Sequence, residues 1–316
     1  MSARRPQETV WELARGALAA RALGIAADLG VAEALSAGRR SVDELAREVG
    51  ADPDSLYRIM RALASVGVFT EEEPRTFGNT ESSELLRAEW KDFAHLFGGV
   101  FHRAAAGLDA SGVPGAFARA HGTDFWSWLA AEPEERAAFD RAMAQGVEGR
   151  IARLDRVEWR GDETVVDVGG GNGSLLLALL ERHPRMRGIV FDLPETVRDE
   201  SAFGDRCAFV VGSFFERVPS GDAFVLSTVL HDWDDASALR ILRVVHAAAR
   251  DGARLVLLES TVEPGNERDG AKWLDLLMLA LFAGRERSEA QWRSLLAQAG
   301  FTPVRIGDGA IEARAA

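Results

Sequence analysis

The sequence has little cysteine, no long apolar run and fewer basic than acidic residues. Cys207 is the single cysteine in 316 residues, which excludes an intramolecular disulfide and suits a reducing compartment. No apolar run reaches the roughly 18–20 residues of a membrane-spanning helix, since the most hydrophobic stretch, 273–282, contains Asp275. The N-terminus, MSARRPQETVWEL, carries a basic pair but no apolar segment typical of a signal peptide. We therefore expect a cytoplasmic protein without a membrane partner.

The charge balance argues against nucleic acid as a partner. Lysine and arginine together number 37 and aspartate and glutamate 49, which gives a formal net charge of −12 at pH 7. Binding to phosphates depends on basic residues, so a chain of this sign is not expected to have nucleic acid as its main ligand. The content of 47% hydrophobic and 27% charged residues is that of a globular protein, and 316 residues are enough for two domains.

The first half of the sequence has helical periodicity. Apolar residues recur at intervals of three and four from about Val10 to Arg150. Ser41 followed by Glu44 predicts a capping box at the start of one helix. Asp52, with proline next to it, predicts the start of another.

A predicted hairpin follows these two helices. Short strands are expected at 68–70 and 75–77, which completes an outline typical of a winged helix. Residues 41–73 contain three arginines and eight acidic residues, a net charge of −5, which does not suit a DNA-recognition module. We predict that residues 1–155 form an all-α, winged-helix-like domain used for packing or dimerisation.

The second half changes to alternating strands and helices, which predicts an α/β domain over residues 156–316 with a doubly wound parallel sheet. The chain's last segment, FTPVRIGDGAIEARAA, predicts two antiparallel strands joined at Gly307-Asp308-Gly309. Five further strands are expected at 164–168, 188–192, 207–211, 223–227 and 254–259, with a helix at 235–250 before the last of them.

A glycine-rich loop directly follows the first of these strands and opens a helix. Gly169, Gly171 and Gly173 allow the backbone to approach a ligand, and the free N–H groups of the helix start face it. The third glycine of the dinucleotide pattern is replaced by Ser174, which favours a nucleoside without a pyrophosphate. Asp192 ends the second strand, where it can accept hydrogen bonds from a ribose diol or, alternatively, cap a helix.

Four segments together resemble the caffeate-type O-methyltransferases of plants and bacteria, which use S-adenosylmethionine. They are VVDVGGGNGS (165–174), FDLPETV (191–197), the segment 211–235 and GRERSEAQW (284–292). The likeness covers nearly the whole chain. It implies a Rossmann-like methyltransferase sheet and an N-terminal domain that forms an intertwined homodimer.

The resemblance also implies a set of cofactor contacts. Gly169 would approach the methionine part, Asp192 the ribose, and Phe214 the adenine. Ser227 stands where the family has a polar contact, often lysine, and Ser213 where it usually has an aspartate that accepts from the adenine amino group. The full set of expected cofactor residues is Asp167, Gly169, Gly171, Asp192, Leu193, Ser213, Phe214, Ser227, Asp232 and Trp233.

The catalytic expectation centres on His231. It lies in LHDWDD (230–235), just after the fourth strand, at the sheet edge where open α/β folds place their sites. The resemblance makes it the general base and makes Glu259 and Glu286 the carboxylates that flank it. The alternatives are a polar strand end for Glu259 and a surface ion pair for Glu286. We expect no metal, because Asp235 is predicted to cap the next helix and no further ligand has a matching spacing.

Aromatic and methionine residues are the expected substrate contacts, although a purely structural core is an equally good interpretation for most of them. They are Phe125, Trp126, Met143, Met278, Leu279 and Phe282. A flat apolar acceptor, a small aromatic or polyketide-like metabolite with a hydroxyl group, fits this composition. Three alternatives stay open at this point: a family member that catalyses decarboxylation, hydroxylation or isomerisation, a ligand-sensing DNA-binding regulator, and an N-methyltransferase.

Overall fold

The computed structural model describes residues 5–88, 90–109, 115–196, 204–282, 284–307 and 309–316. The chain forms two compact units. One comprises Met1–Ala106 with Arg141–Gln145, and the other Gly107–Asp140 with Gly146–Ala316. The domain boundary predicted after residue 155 stays a prediction.

The first unit is helical with a small antiparallel sheet in the order β1-β3-β2. Its capping box is confirmed, because Ser41 and Glu44 bond each other's backbone N–H, and Asp52 accepts from Ser55 at the start of the next helix. The elements are α1 (Pro6–Asp28), α2 (Val31–Ala34), β1 (Arg40–Ser41), α3 (Val42–Val49), α4 (Pro53–Ala64), β2 (Phe69–Glu73), β3 (Thr76–Asn79), α5 (Glu81–Glu84), α6 (Lys91–Gly98) and α7 (Val100–Ala105).

A single apolar cluster joins these elements. Leu45 of α3 and Leu56 and Met60 of α4 pack with Phe77 of β3, and all four are fully buried. The predicted winged-helix outline, two helices followed by a hairpin, is therefore present.

The second unit contains the large sheet. In the described part of this unit, four helices precede the sheet, and an α/β alternation with a final hairpin follows. The elements are α8 (Ala116–His121), α9 (Phe125–Ala131), α10 (Pro133–Met143), which ends in the first unit, α11 (Val147–Leu154), β4 (Thr164–Val168), α12 (Ser174–Arg182), β5 (Arg187–Asp192), β6 (Cys207–Val211), β7 (Gly221–Ser227), α13 (Asp235–Ala248), β8 (Ala249–Leu258), α14 (Gly270–Leu281), α15 (Glu289–Gln298), β9 (Phe301–Gly307) and β10 (Ala310–Ala315).

Within the described residues the sheet has seven strands in the order β6-β5-β4-β7-β8-β10-β9. The first five are parallel, and β10 pairs antiparallel with both β8 and β9. This confirms the predicted doubly wound sheet and its terminal hairpin, although Asp308, like Val197 of the FDLPETV segment, lies outside the described residues. The strand order reverses between β4 and β7, and the carboxyl ends of those two strands are where open α/β sheets bind ligands.

Strand β4 shows why both faces of the sheet are covered. Val166 and Val168 belong to the apolar cluster that contains α13 and α15 residues, whereas Val165 belongs to the cluster that contains α11 and α12 residues. Successive side chains on a strand point to opposite faces, so a β-branched run buried on both sides needs helices on both sides.

Two predicted details are wrong. The N-cap of α13 is Asp234, whose side chain accepts from the Ser237 N–H, and not Asp235. The helix ends at Ala248, because Ala249 already pairs with Gly221 of β7, so Arg250 lies in β8. Within the described part of the chain, no helix combines the length and the apolar character needed to cross a membrane.

Candidate active site

The glycine loop after β4 is built from backbone conformations that favour glycine. Gly169 has a φ of +71°, and a Cβ at this position would lie 2.8 Å from a methyl group of Val229. Its N–H donates to the Phe191 carbonyl at 2.8 Å. Gly171 also has a positive φ, +58°, but a Cβ there would meet no atom within 4 Å. At Gly169 the loop therefore packs against neighbouring side chains, whereas at Gly171 it faces open space.

Asp192 ties the end of β5 to this loop. One carboxylate oxygen accepts from the Gly171 N–H at 2.7 Å. The other accepts from the Leu193 N–H at 2.7 Å and from the Thr196 hydroxyl at 2.9 Å. The side chain of Asp192 thus lies beside the glycine loop, and its contact with a ribose stays a prediction, while Leu193 is exposed.

Two buried acceptors near the loop have no hydrogen-bond partner among the described residues. They are the carboxylate of Asp167 and the hydroxyl of Ser227. Asp167 lies against the loop, since a Cβ on Gly170 would be 2.7 Å from its Cγ. Burial raises the pKa of the Asp167 carboxyl to about 7, although the nearby Arg150 guanidinium lowers it. An unpaired buried carboxylate is costly, and a ligand that is cationic or donates hydrogen bonds would remove that cost.

The segment after β6 brings aromatic rings to the same loop. A Cβ on Gly169 would lie 3.8 Å from the Phe214 ring. Phe214 and Phe215 both make edge-on contacts with Trp233, at centroid distances of 6.0 and 4.7 Å. The Ser213 hydroxyl accepts from the Phe215 N–H at 3.3 Å, so it closes the local turn.

His231 is buried at the end of β7 in a short helical turn and is surrounded by carboxylates. Its Nδ1 lies 2.7 Å from Oε1 of Glu286 and 3.8 Å from Oε2 of Glu259. Its Nε2 lies 3.4 Å from Oδ1 of Asp232. The structure therefore brings His231, Glu259 and Glu286 together, as the family resemblance implied, while their catalytic roles stay a prediction. The alternative of a surface ion pair for Glu286 is wrong, because its side chain is fully buried.

Glu259 shapes the loop before His231. Its Oε1 accepts from the N–H groups of Val229 at 3.0 Å and Leu230 at 2.7 Å. The turn begins at Thr228, whose φ of +54° is strained for a β-branched residue. Glu259 satisfies two donors that this turn leaves without partners in the sheet, and so holds the backbone that carries His231.

The segment after α14 holds the other side of the same loop. The Arg285 N–H donates to the His231 carbonyl at 2.8 Å. A Cβ on Gly284 would lie only 2.0 Å from that carbonyl oxygen, so this position has no room for a side chain. Asp275 of α14 accepts from the Glu286 N–H at 2.8 Å and fixes the start of the Glu286 side chain. Sequence reasoning missed Gly284, Asp275 and Thr228.

The buried charges change one another's proton affinity. Burial alone would lower the pKa of the His231 imidazole, but Glu259, Asp232 and Glu286 raise it to about 10. Burial raises the pKa of the Asp232 carboxyl to about 7, against the lowering effect of His231. Burial likewise raises the pKa of Glu259. A hydrogen bond in which the Glu286 carboxylate accepts would place the proton on Nδ1 of His231.

The predicted substrate contacts divide into three groups. Phe125, Trp126 and Phe282 form one aromatic cluster, in which Trp126 stacks on Phe282 at 5.4 Å and Phe125 meets it edge-on at 5.0 Å. Met278 is buried, whereas Leu279 is exposed and lines a cavity of about 680 Å³ with Asp275, Gly284 and Glu286. Met143 belongs to the first compact unit, and its expected role stays a prediction.

Comparisons with known proteins identify the family. Residues 101–302 match an O-methyltransferase domain, and residues 11–89 match an O-methyltransferase dimerisation domain. The chain is 36% identical over 301 residues to the phenazine O-methyltransferase PhzM of Lysobacter antibioticus, which covers 90% of this chain and 88% of that protein.

Solved structures agree with the sequence comparison. The crystal structure of LaPhzM matches with a TM-score of 0.92 at 34% identity, over 99% of this chain and 100% of that one. The O-methyltransferase NcsB1 from neocarzinostatin biosynthesis, solved with S-adenosylmethionine and 2-hydroxy-5-methyl naphthoic acid, matches with a TM-score of 0.80 at 36% identity, over 94% of this chain and 96% of that one. The chain belongs to the plant- and bacterial-type family of S-adenosylmethionine-dependent O-methyltransferases with a dimerisation domain.

Proposed function

We propose that this enzyme methylates a hydroxyl group of a small, flat aromatic or polyketide-like metabolite, with His231 as the general base. The observation that carries the proposal is the 2.7 Å contact between Nδ1 of the buried His231 and Glu286, at the carboxyl end of β7. The aromatic cluster of Phe125, Trp126 and Phe282 supports a flat acceptor, as does the naphthoic acid bound by NcsB1.

The residues around the glycine loop fit S-adenosylmethionine. When bound, this cofactor supplies an electrophilic methyl group on a positively charged sulfur. The unpaired Asp167 carboxylate and Ser227 hydroxyl suit a cationic, hydrogen-bond-donating ligand. We assign the cofactor site to these two residues together with Gly169, Gly171, Asp192, Leu193, Ser213, Phe214, Asp232 and Trp233.

His231 would accept the proton that the acceptor hydroxyl loses. A phenol has a pKa near 10 and an unperturbed imidazole one near 6.5, so the transfer alone would cost roughly 5 kcal/mol. In this site the surrounding carboxylates raise the pKa of His231 to about 10, which closes most of that gap. Glu286 also fixes the tautomer, because it holds the proton on Nδ1 and leaves Nε2 as the basic nitrogen.

The position of the acceptor and the apolar surroundings of the site supply the rest of the rate acceleration. Holding the acceptor oxygen in line with the transferred methyl group contributes about 7–11 kcal/mol in well-oriented reactions. A phenolate and a sulfonium give neutral products, so apolar walls such as Phe125 and Phe282 favour the reaction by excluding water.

The proposed acceptor class is tested with a panel of hydroxylated aromatic metabolites. We expect at least one naphthol, phenazinol or hydroxyquinone to gain the mass of one methylene unit when it is incubated with enzyme and S-adenosylmethionine. Mass spectrometry detects the product, and equimolar release of S-adenosylhomocysteine ties it to methyl transfer. Conversion of an acceptor without release of the demethylated cofactor would instead identify a decarboxylase, hydroxylase or isomerase that has kept the fold.

The dimerisation domain marks the protein as a homodimer, and we propose that α1 supplies the interface. Four apolar side chains of α1 are largely exposed: Val10, Trp11, Leu13 and Leu18, the last at 75%. A monomer seldom exposes a continuous apolar stripe of this kind, because its burial against a second copy is favourable.

Leu18→Glu is expected to shift the protein from dimer to monomer, because it introduces a charge into that stripe. Light scattering after size-exclusion chromatography measures the mass. Thr9→Glu adds the same charge at an exposed position of α1 about 180° around the helix from Leu18, and it serves as the matched control. A Leu18→Glu protein that stays fully dimeric at micromolar concentration would place the interface elsewhere.

A further inference from the structure

One buried side chain, Arg287, bonds the loop that carries His231 at two points. Its Nη1 donates to the Leu230 carbonyl at 2.9 Å, and its Nη2 donates to the Trp233 carbonyl at 2.8 Å. These two carbonyls lie immediately before and two residues after His231. Together with the Arg285 N–H, which donates to the His231 carbonyl, Arg285 and Arg287 donate to three carbonyls of the 230–233 turn and so hold its backbone.

The position of the guanidinium is itself fixed on two further sides. Its Nε donates to Oδ1 of Asp235 at 2.9 Å. Its Cζ lies over the Trp292 ring at 5.1 Å from the centroid. The Arg287 side chain is fully buried, whereas that of Asp235 is 54% exposed, so the charge is held by a fork of donors rather than by one enclosed ion pair.

Trp292 connects this cluster to the strand that precedes Glu259. Its ring is fully buried, and its Nε1 donates to the carbonyl of Ser260 at 3.2 Å. The guanidinium therefore lies between the backbone of the 230–233 turn and the Trp292 ring, which bonds the residue after Glu259. A displacement of Arg287 would change the relative position of the base and both of its carboxylate neighbours.

We propose that Arg287 is a positioning residue for methyl transfer: it holds the 230–233 turn so that His231 keeps its bond to Glu286. This proposal rests on the proposed function of His231 as the base. Arginine is needed because bonding Leu230, Trp233 and Asp235 together takes donors on three separate nitrogens in one plane. A lysine at this position would keep the charge but could not reproduce the fork.

The test compares Arg287→Lys and Asp235→Asn with the surface variant Arg293→Lys, which alters an exposed fork to Glu289 on α15. We expect kcat of Arg287→Lys to fall about ten- to a hundredfold, as for a misplaced catalytic group. Its KM for S-adenosylmethionine should change less than kcat, because only Asp232 and Trp233 of the proposed cofactor contacts lie in the turn that Arg287 holds. Asp235→Asn, at an exposed side chain, should fold and show a smaller loss of kcat, and Arg293→Lys should show none.

A second measurement separates positioning from stability. In protein labelled with ¹⁵N-histidine, the Nδ1–H signal of His231, assigned by its absence in His231→Gln, should shift in Arg287→Lys and not in Arg293→Lys. Rates are divided by the number of cofactor sites counted by calorimetry, so partial unfolding does not count as lost activity. Arg287→Ala should also regain activity with added guanidinium and not with ammonium.

The proposal is overturned if Arg287→Lys keeps its kcat per cofactor site and its His231 signal while only its melting temperature falls. It is also overturned if kcat falls but the His231 signal does not move. If His231 is not the base, the result will be different: His231→Gln will retain activity, whatever effect the Arg287 variants have.

Discussion

Replacing His231 with alanine is expected to lower kcat about 10²–10⁴-fold, the usual contribution of a positioned general base. The variant removes the imidazole that Glu286 and Glu259 contact in the site. The dissociation constant of S-adenosylmethionine should stay within about twofold, because the glycine loop and Asp192 lie on other elements. Single-turnover kinetics on an identified acceptor measures the first effect, and calorimetry measures the second.

The alanine variant leaves the buried Glu259 and Glu286 and the partly buried Asp232 around an empty space, so a second variant is needed. His231→Gln keeps a side-chain N–H that can donate to Glu286 but has no basic nitrogen. It should lose as much activity as alanine and retain more of the folded stability. His183→Ala, at the end of α12, removes a histidine outside the carboxylate cluster and is the matched control.

Turnover above about one tenth of the parent rate in both His231 variants would move the base to another group, with Asp232 the first candidate. Its carboxylate lies 3.4 Å from Nε2 of His231, and burial raises its pKa to about 7, so it can hold a proton near neutral pH. Equal losses in both variants, with cofactor binding retained, would support the base assignment.

The local signals in the sequence were enough to predict most elements of the sheet. Strands β4 and β6 have the predicted limits, 164–168 and 207–211, because each is a short apolar run bounded by turn residues. The helix starts at Ser41 and Asp52 followed from capping chemistry that acts within three residues. The grouping of His231, Glu259 and Glu286 followed from family resemblance, since their separation in the chain gives no local signal.

The features that sequence reasoning missed depend on contacts across many residues. Asp234 and Asp235 have equal capping chemistry, and Asp234 became the cap while Asp235 bonds to Arg287, 52 residues later. Gly284 is required by the His231 carbonyl, an atom 53 residues away, and its neighbours in GRERSEAQW do not reveal this. Local patterns therefore predicted where the site residues stand on their strands, and tertiary packing decided how the loop that carries them is held.

Glu286→Gln is expected to move the rising limb of the pH–rate profile to lower pH and to lower its plateau. His231 is active as a base in its neutral form, and its pKa near 10 means that the parent enzyme should gain kcat/KM as the pH rises through the alkaline range. Glu286 is one of three carboxylates that raise this pKa, after Glu259 and Asp232. Without its charge the pKa of His231 should fall by about one unit or more, so the neutral imidazole appears at lower pH.

Glu286→Gln also makes His231 a weaker base, because it lowers the pKa of the imidazole. Each unit by which the pKa of His231 falls makes proton transfer from a phenol about 1.4 kcal/mol less favourable. The plateau of the pH–rate profile should therefore fall, although its rising limb moves to lower pH. Glutamine also removes the carboxylate that lies within hydrogen-bond distance of Nδ1 and selects the tautomer. Profiles of kcat/KM measured with two acceptors of different pKa separate the enzyme's limb, which should be common to both, from ionisation of the acceptor.

Glu289→Gln removes a charge of the same sign three residues further on, where the side chain is exposed and paired with Arg293. Its profile should coincide with that of the parent, because solvent screens an exposed charge far more than a buried one. A limb that does not move in Glu286→Gln, or that moves to higher pH, would mean that the titrating group is not an imidazole held by this carboxylate. A shift to lower pH together with a lower plateau follows only if one group, His231, sets both the pH at which the enzyme becomes active and the strength of its base.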